Sequence, residues 1–399
     1  MVQVVVREAT KLYRGPHAVK ALSDVSITAN DGEFLVLLGP SGSGKTTLLR
    51  AIAGLETLDA GDIFIGDRCV THIDPGHRNI GMVFQDYALY PHMTVRGNID
   101  YNMRLRRLAP AEIKKRTEKV AEMLRLEALL ERSPAQLSGG QRQRVALGRA
   151  ITRDSAVLLM DEPLSNLDAQ IREHVRVELR ELQRRIGVTT IYVTHDQVEA
   201  MVVADRIAVL SNGKVEQIGA PETIYDRPDM LFCARFVGSP KANEIRGALR
   251  RTGTNTLEFT VAAKDGSLAV RLAIDAEEIG LPEHAEKESI AVFRPEDVQV
   301  SQRGMGFPCS LLFVENRGAE KFAVVELPPS LRQAQSSADL RLKIDSAAAS
   351  APSAFVPGRV HLFDEASGFR IATGRGRPVR EDGTVGASRR IVTPHNGDA

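Results

Sequence analysis

A chain of 399 residues exceeds the usual size of one domain, so two domains and a tail are expected. Its 52 lysines and arginines balance 51 aspartates and glutamates, which leaves no global field to draw it to nucleic acid or to an anionic lipid surface, and no nucleic-acid partner is expected. The three cysteines, Cys69, Cys233 and Cys309, stand far apart without CxxC spacing, which argues against a disulfide framework or a zinc site.

The first residues, MVQVVVREATK, hold a short β-type run broken by Arg7 and Glu8. They lack the basic start and longer apolar stretch of a signal peptide, so a cytosolic chain is expected. The longest apolar runs, 34–38 and 156–160, are strand-length and far below the roughly 18 to 20 residues that span a bilayer. The polypeptide itself is not expected to cross a membrane.

Residues 34–38 read as a buried strand, followed by a glycine-rich loop and a helix with Leu48, Leu49, Ile52 and Leu55 on one face. A helix-forming stretch spans about 109–130, ends at Pro134 and leads into LSGGQRQR at 137–144; it reads as a helical subdomain, about 86–150, inserted into a sheet domain. Further strands are expected at 156–160, 189–193 and 207–210. Between the first two lies a helix with Ile171, Val175, Leu179, Leu182 and Ile186 on one stripe. Asn212-Gly213 reads as a tight hairpin turn. A mostly parallel sheet covered by helices follows, an α/β fold. After Gly238 shorter β-type runs at 257–261, 268–272, 290–293, 311–314 and 322–327 predict a small all-β domain. Residues 346–358 read as a loop, and 374–399 as a disordered tail.

The run 39–47, GPSGSGKTT, is the glycine-rich loop of a nucleotide triphosphatase: Gly39, Pro40, Ser41, Gly42, Ser43, Gly44, Lys45, Thr46 and Thr47. Gly42 and Gly44 free backbone N–H groups to point at phosphate oxygens, and Lys45 adds a positive charge for the β- and γ-phosphates. In the second run Ser138 caps a helix that begins with Gly139, Gly140 and Gln141, also an anion-binding geometry. The strand at 157–160 ends in Asp161-Glu162. Asp161 can hold Mg²⁺ together with the Thr46 hydroxyl, and Glu162 can accept a proton from an attacking water or orient it. The pair also reads as a charge pair at a helix N-terminus.

Six elements in order, GPSGSGKTT at 39–47, MVFQ at 82–85, LSGGQRQR at 137–144, VLLMDEP at 157–163, SNLD at 165–168 and THD at 194–196, make the chain resemble an ATP-binding cassette (ABC) ATPase. The resemblance implies a P-loop nucleotide-binding domain over 1–236 that binds ATP and Mg²⁺. It implies that Tyr13 stacks on adenine, that Gln85 sits by the metal and the attacking water, and that His195 contacts the γ-phosphate. Asp168 would communicate between two sites, a role compatible with a plain helix cap. Ser138, Gly139, Gly140 and Gln141 of one subunit would close over ATP held by the other, in a homodimer.

VGSPKANEI at 237–245, VFRPEDV at 292–298 and GRVHLFDEASGFRI at 358–371 resemble the β-rich, OB-like regulatory extension, here 237–373, of carbohydrate-importer ATPases, the group of the maltose, multiple-sugar and glycerol-3-phosphate systems. Ala242 departs from the methionine common in that group, and residues about 301–350 diverge. The resemblance implies an ATP hydrolase that energises uptake of a sugar or sugar-like solute at the cytoplasmic face of the inner membrane. Its partners would be two membrane-spanning permease subunits and, through them, an extracytoplasmic solute-binding protein. ATPases for polyamine, sulfate or ferric ion share the plan, whereas soluble ABC ATPases of ribosomes or DNA carry tandem cassettes or long coiled-coil insertions that are not seen here.

Overall fold

The structure, a computed structural model, describes residues 2–15, 18–153, 155–263, 265, 268–282, 285–301, 306–331, 339–344 and 351–379. Two units divide it, Met1–Ile224 and Tyr225–Ala399.

In the first unit the strands run, in chain order, β1 (Val4–Tyr13), β2 (Val19–Ala29), β3 (Phe34–Leu38), β4 (Ala60–Ile65), β5 (Arg68–Cys69), β6 (Ile80–Val83), β7 (Val157–Asp161), β8 (Thr189–Thr194), β9 (Arg206–Ser211) and β10 (Lys214–Gly219). One sheet has the order β10-β9-β3-β8-β7-β6, and its pairings are parallel except in the β9–β10 hairpin. Every residue of β3, β7 and β8 is buried, as expected of parallel strands covered on both faces. The predicted turn between β9 and β10 has positive φ at both Asn212 and Gly213, 47° and 73°, the type I′ geometry.

A second sheet, β2-β1-β4-β5, is antiparallel. The N-terminal run is expected to stop at Arg7 and Glu8, yet β1 continues to Tyr13. Glu8 and Asp24 adopt φ of 50° and 58°, and the β1–β2 register shifts around them. Such bulges break the period-two alternation by which a strand is recognised.

The main helices of this unit are α1 (Lys45–Ala53), α2 (Val95–Leu105), α3 (Pro110–Met123), α4 (Gly139–Ile151), α5 (Ala169–Ile186) and α6 (Gln197–Val203). Helix α1 buries Leu48, Leu49 and Ile52 against the sheets, each such side chain contributing about 1.5–3 kcal/mol when fully buried. Helices α2, α3 and α4 lie between β6 and β7, the inserted helical subdomain. Helix α5 buries Val175, Leu179 and Leu182 of its predicted stripe, whereas Ile171 and Ile186 are only half-buried.

The second unit is all-β apart from short helical turns. Its strands are β11 (Asn243–Arg251), β12 (Thr256–Ala262), β13 (Leu268–Ile279), β14 (Glu286–Phe293), β15 (Val298–Ser301), β16 (Phe307–Pro308), β17 (Ser310–Asn316), β18 (Lys321–Glu326), β19 (Leu340–Ile344), β20 (Ala354–Pro357), β21 (Arg359–Asp364) and β22 (Arg370–Pro378). The order β11-β12-β13-β22-β21-β14 closes an antiparallel barrel of six strands, one more than an OB-fold barrel has. Two three-stranded sheets, β15-β20-β16 and β17-β18-β19, complete the unit.

The predicted loop 346–358 contains β20, whose four residues are all buried; a run this short between Ser353 and Gly358 has too little periodicity to be read as a strand. Residues 374–378, expected to begin the tail, instead extend β22 and pair with β13 and β21. Added Cβ atoms at Gly374 and Gly376 would lie 2.4 Å from Asp275 O and 2.6 Å from Pro357 O, so the close strand approach selects glycines that hide the pattern. Residues 380–399 of that tail lie outside the described residues. The helical turn Leu231–Phe236, expected in the first domain, packs its Leu231 and Ala234 against Ile290, Val292 and Phe363 of the second unit.

Two motifs of the extension act as buried polar fasteners. Arg294 donates to the carbonyls of Ala234 and Val237 and stacks 4.3 Å over the Tyr225 ring. Asn243 mimics a strand: its Nδ2 donates to Arg341 O at 2.7 Å and its Oδ1 accepts from Arg341 N at 2.8 Å. Asn243→Ala leaves that half-buried backbone pair without its partner and should destabilise the second unit by about 1–3 kcal/mol, read as a lower urea midpoint; an unchanged midpoint would refute the fastener. His361 is buried against Thr373 Oγ1 at 2.9 Å. Burial first, and then the charges of Arg294, Arg359 and Arg370, push its pKa down to about 3. The unfolded chain binds this proton below about pH 6.5 and the folded chain does not, so stability should fall by up to ~1.4 kcal/mol per pH unit as the solution is acidified through that window. His361→Gln should flatten this slope in urea titrations, and an equal slope would exclude His361 as its source.

Candidate functional site

Register places the site. In the parallel sheet Leu38 pairs with Thr194, and Asp161 with Val193. The residues that follow, Gly39, Glu162 and His195, therefore leave the sheet side by side at its carboxyl edge, where ligands of open α/β sheets bind. Strand β6 pairs Val83 with Met160 and brings Gln85 to the same edge two residues later.

The glycine loop turns sharply from β3 into α1. Gly42 and Gly44 have φ of 79° and 101°, and a Cβ on Gly44 would come within 2.4 Å of Ala21 O, so no larger residue fits that turn. Lys45 is buried, and its Nζ donates to Gly39 O and Pro40 O, both at 2.8 Å. The ammonium thus lies back across the loop that surrounds it. Burial pushes its pKa down, opposed by Glu162 and Asp161. Ser43 Oγ is buried with no hydrogen-bond partner, an orphaned group inside the loop that a phosphate oxygen would satisfy. Ser41 and Gly42 are exposed, and Pro40, Thr46 and Thr47 are half-buried.

Thr46 Oγ1 donates to Asp161 Oδ1 at 3.1 Å. Burial raises the pKa of Asp161, opposed first by that hydrogen bond and then by Arg50. The next residue, Glu162, holds φ at 43°, a left-handed conformation that is uncommon for a side chain of this size. Its N–H donates to Val193 O at 3.0 Å, and its carbonyl accepts from Ser165 Oγ at 2.9 Å. Its Oε2 lies 3.0 Å from His195 Nδ1. Two pairs, Thr46–Asp161 and Glu162–His195, thus sit side by side on adjacent strand ends.

The other predicted residues fall into two groups. Gln85 is exposed, and its carbonyl accepts from Asn166 Nδ2 at 2.8 Å. Tyr13 ends β1 with an exposed ring; its hydroxyl donates to Glu56 Oε2 at 3.0 Å, and Lys11 Nζ lies 5.3 Å from the ring centre. Asp168 caps α5 through Ile171 N at 3.0 Å. Ser138 caps α4 in a reciprocal box with Gln141: Ser138 N donates to Gln141 Oε1 at 2.9 Å and Gln141 N to Ser138 Oγ at 3.3 Å. The Gly139-Gly140 pair has a packing reason within the chain that its local sequence does not reveal. A Cβ on Gly139 would meet Leu167 Cδ2 at 2.8 Å, and one on Gly140 would meet Ile171 Cγ2 at 3.2 Å. The start of the LSGGQRQR run is thus seated on the SNLD turn and the start of α5.

Sequence reading also misses Arg149 and Asn98. Tyr87 and Ala88 have φ of 63° and 44°, and their carbonyls accept from Arg149 Nη2 and Nη1 at 3.0 and 2.5 Å. Asn98 Oδ1 accepts from Tyr90 N at 2.8 Å. These bonds shape the loop after Gln85. A buried arginine on an amphipathic helix offers no sequence clue to which distant carbonyls it serves.

A protein-family model described as ABC transporter matches residues 22–165. The sn-glycerol-3-phosphate import ATP-binding protein UgpC of Cupriavidus pinatubonensis is 44% identical over 388 residues, covering 93% of this chain and all of the relative. The protein of the same name from Ruegeria pomeroyi is 46% identical over 363 residues, covering 89% of this chain and 97% of the relative. Among solved structures, a dimeric bacterial ABC transporter cassette is 32% identical with a TM-score of 0.50, covering 55% of this chain and 98% of its own. The glycine loop, Gln85, the Asp161-Glu162 pair and His195 gathered on one sheet edge, and relatives matched from end to end, lead to one conclusion: the chain belongs to the ABC transporter family and is one of its ATP-binding import ATPases.

Proposed function

We propose that this chain hydrolyses Mg-ATP at the edge formed by Gly39, Glu162 and His195, and that a homodimer of it drives uptake of a sugar-type solute, sn-glycerol-3-phosphate first among them. The observation that carries the catalytic part is the adjacency of the Thr46–Asp161 and Glu162–His195 pairs beside the glycine loop. The cargo follows from the names of the relatives.

In this reading the loop from Gly39 to Thr47 wraps the phosphates, with the N–H groups and Lys45 as donors and Ser43 Oγ supplying one more. Tyr13 offers its exposed face to adenine. Thr46, Asp161 and Gln85 are oxygen donors suited to Mg²⁺. Bound with the nucleotide, Mg²⁺ would neutralise charge on the β- and γ-phosphates.

Glu162 receives the proton of the attacking water or orients it. His195 can donate from one ring nitrogen to Glu162; it donates from the other to a γ-phosphate oxygen only as an imidazolium, since a neutral ring has a single N–H. The two residues therefore act as a unit. Ser138, Gly139, Gly140 and Gln141 present a helix N-terminus, with its partial positive charge, to the nucleotide of the second subunit. Asp168 reports across the dimer.

A groove of about 400 Å³, lined in part by Leu55, Phe84, Ala88, Tyr90, Arg149 and Arg153, is offered to cytoplasmic helices of two permease subunits. These in turn would meet an extracytoplasmic solute-binding protein. No helix among the described residues is long and apolar enough to cross a membrane. As in an import ATP-binding protein, the chain would be held at the cytoplasmic face of the inner membrane by its permease.

Glu162→Gln is expected to lower kcat for ATP about a hundredfold or more while keeping nucleotide affinity and accumulating an ATP-bound dimer in size-exclusion chromatography. Turnover at the wild-type rate would remove Glu162 from the mechanism. Cells lacking this chain should lose uptake of labelled sn-glycerol-3-phosphate, with rescue by the wild-type gene and not by the Glu162→Gln gene. Undiminished uptake would refute the cargo and leave the ATPase assignment standing.

A further inference from the structure

His195 belongs to no regular element: it stands between Thr194, the last residue of β8, and Asp196, the cap of α6. Both neighbours are tied into one polar cluster. Thr194 Oγ1 donates to Glu199 Oε2 at 2.7 Å and accepts from Asp196 N at 2.9 Å. Tyr192 donates its hydroxyl to the same carboxylate oxygen at 2.9 Å. Asp196 Oδ1 accepts from the N–H groups of Val198 and Glu199 at 2.8 and 3.2 Å.

The Glu199 side chain is only 4% exposed, and a buried carboxylate calls for a countercharge as well as hydrogen bonds. Arg172, in the first turns of α5, faces it. Its Nε lies 4.0 Å from Glu199 Oε1, and its Nη1 lies 3.6 Å from Asp196 Oδ2. On its far side Nη2 donates to Leu167 O at 2.8 Å, next to Asp168. A surface ion pair would leave the guanidinium in water opposite one carboxylate. Here one planar group spans a loop carbonyl and two carboxylates that flank the histidine. Its Nε is buried with no hydrogen-bond partner, and both carboxylate distances exceed the roughly 2.7–2.9 Å of a closed charge-assisted hydrogen bond. The contact has room to tighten.

We infer that Arg172 and Glu199 are positioning residues that couple the SNLD turn of this chain to its own His195. Displacement of Leu167 moves the guanidinium relative to Glu199, and Glu199 acts through Thr194 on the backbone that carries the histidine. This rests on the placement of Glu162 and His195 in hydrolysis proposed above.

The test is a double-mutant cycle in the purified full-length protein: Arg172→Ala, Glu199→Gln and both together, with Arg172→Lys and Glu162→Gln alongside. Each single variant should lower kcat for ATP about tenfold with KM within about twofold, and the double variant should be no slower than the slower single one. Arg172→Lys should recover only part of the loss, because a point charge cannot span three acceptors. Losses that multiply, a loss confined to KM, an undiminished kcat in Arg172→Ala, or losses that track a lowered folded fraction in thermal unfolding would each overturn the coupling. Should Glu199→Gln fail to fold, Glu199→Asp takes its place in the cycle. Wild-type turnover by Glu162→Gln is a separate result that removes the catalytic reading itself.

Discussion

Everything at the site depends on the stagger of three parallel strands. Because Leu38 is level with Thr194 and Asp161 with Val193, the glycine loop, the Asp161-Glu162 pair and His195 emerge at one height. A slip of one residue in any strand would turn its side chains to the opposite face and withdraw its contribution. The register is in turn held by burial: β3, β7 and β8 have no exposed residue on either face. The chemistry is therefore specified by apolar packing several ångströms away from it.

The second organising fact is that the loops are fastened to one another. Asn166 reaches Gln85 O, Gly139 rests on Leu167, and Arg172 bridges Leu167 to the residues beside His195. The edge proposed as catalytic and the loop proposed to meet a second subunit consequently both contact residues 165–172. A change in one cannot leave the other unmoved, which suits an ATPase whose purpose is motion in another protein.

Much of this is legible in the amino-acid sequence alone. Short apolar runs next to GPSGSGKTT and MDEP can only be buried strands, and the α5 stripe and the Asn212-Gly213 turn obey period and propensity. The losses have physical causes. Strands β1 and β2 bulge at Glu8 and Asp24, where positive φ breaks alternation. Strand β22 hides behind Gly374 and Gly376, placed where neighbouring strands come too close for a side chain. Contacts such as Arg149 to Tyr87 and Ala88, or Arg172 to Leu167, join distant positions through tertiary geometry, which no local pattern encodes. The Gly139-Gly140 pair reads in sequence as a feature meant for phosphate, yet within its own chain both glycines also pack closely, against the side chains of Leu167 and Ile171.

The backbone of Glu162 carries a consequence of a different kind. A glutamate held at φ of 43° costs the folded state about 1–3 kcal/mol, and glycine at the same position would relieve that cost. A gain in stability is thus available at this position only by giving up the carboxylate for which a catalytic role is proposed. Backbone economy and the presence of a carboxylate here pull in opposite directions, so stability and the proposed chemistry are set against each other at one residue.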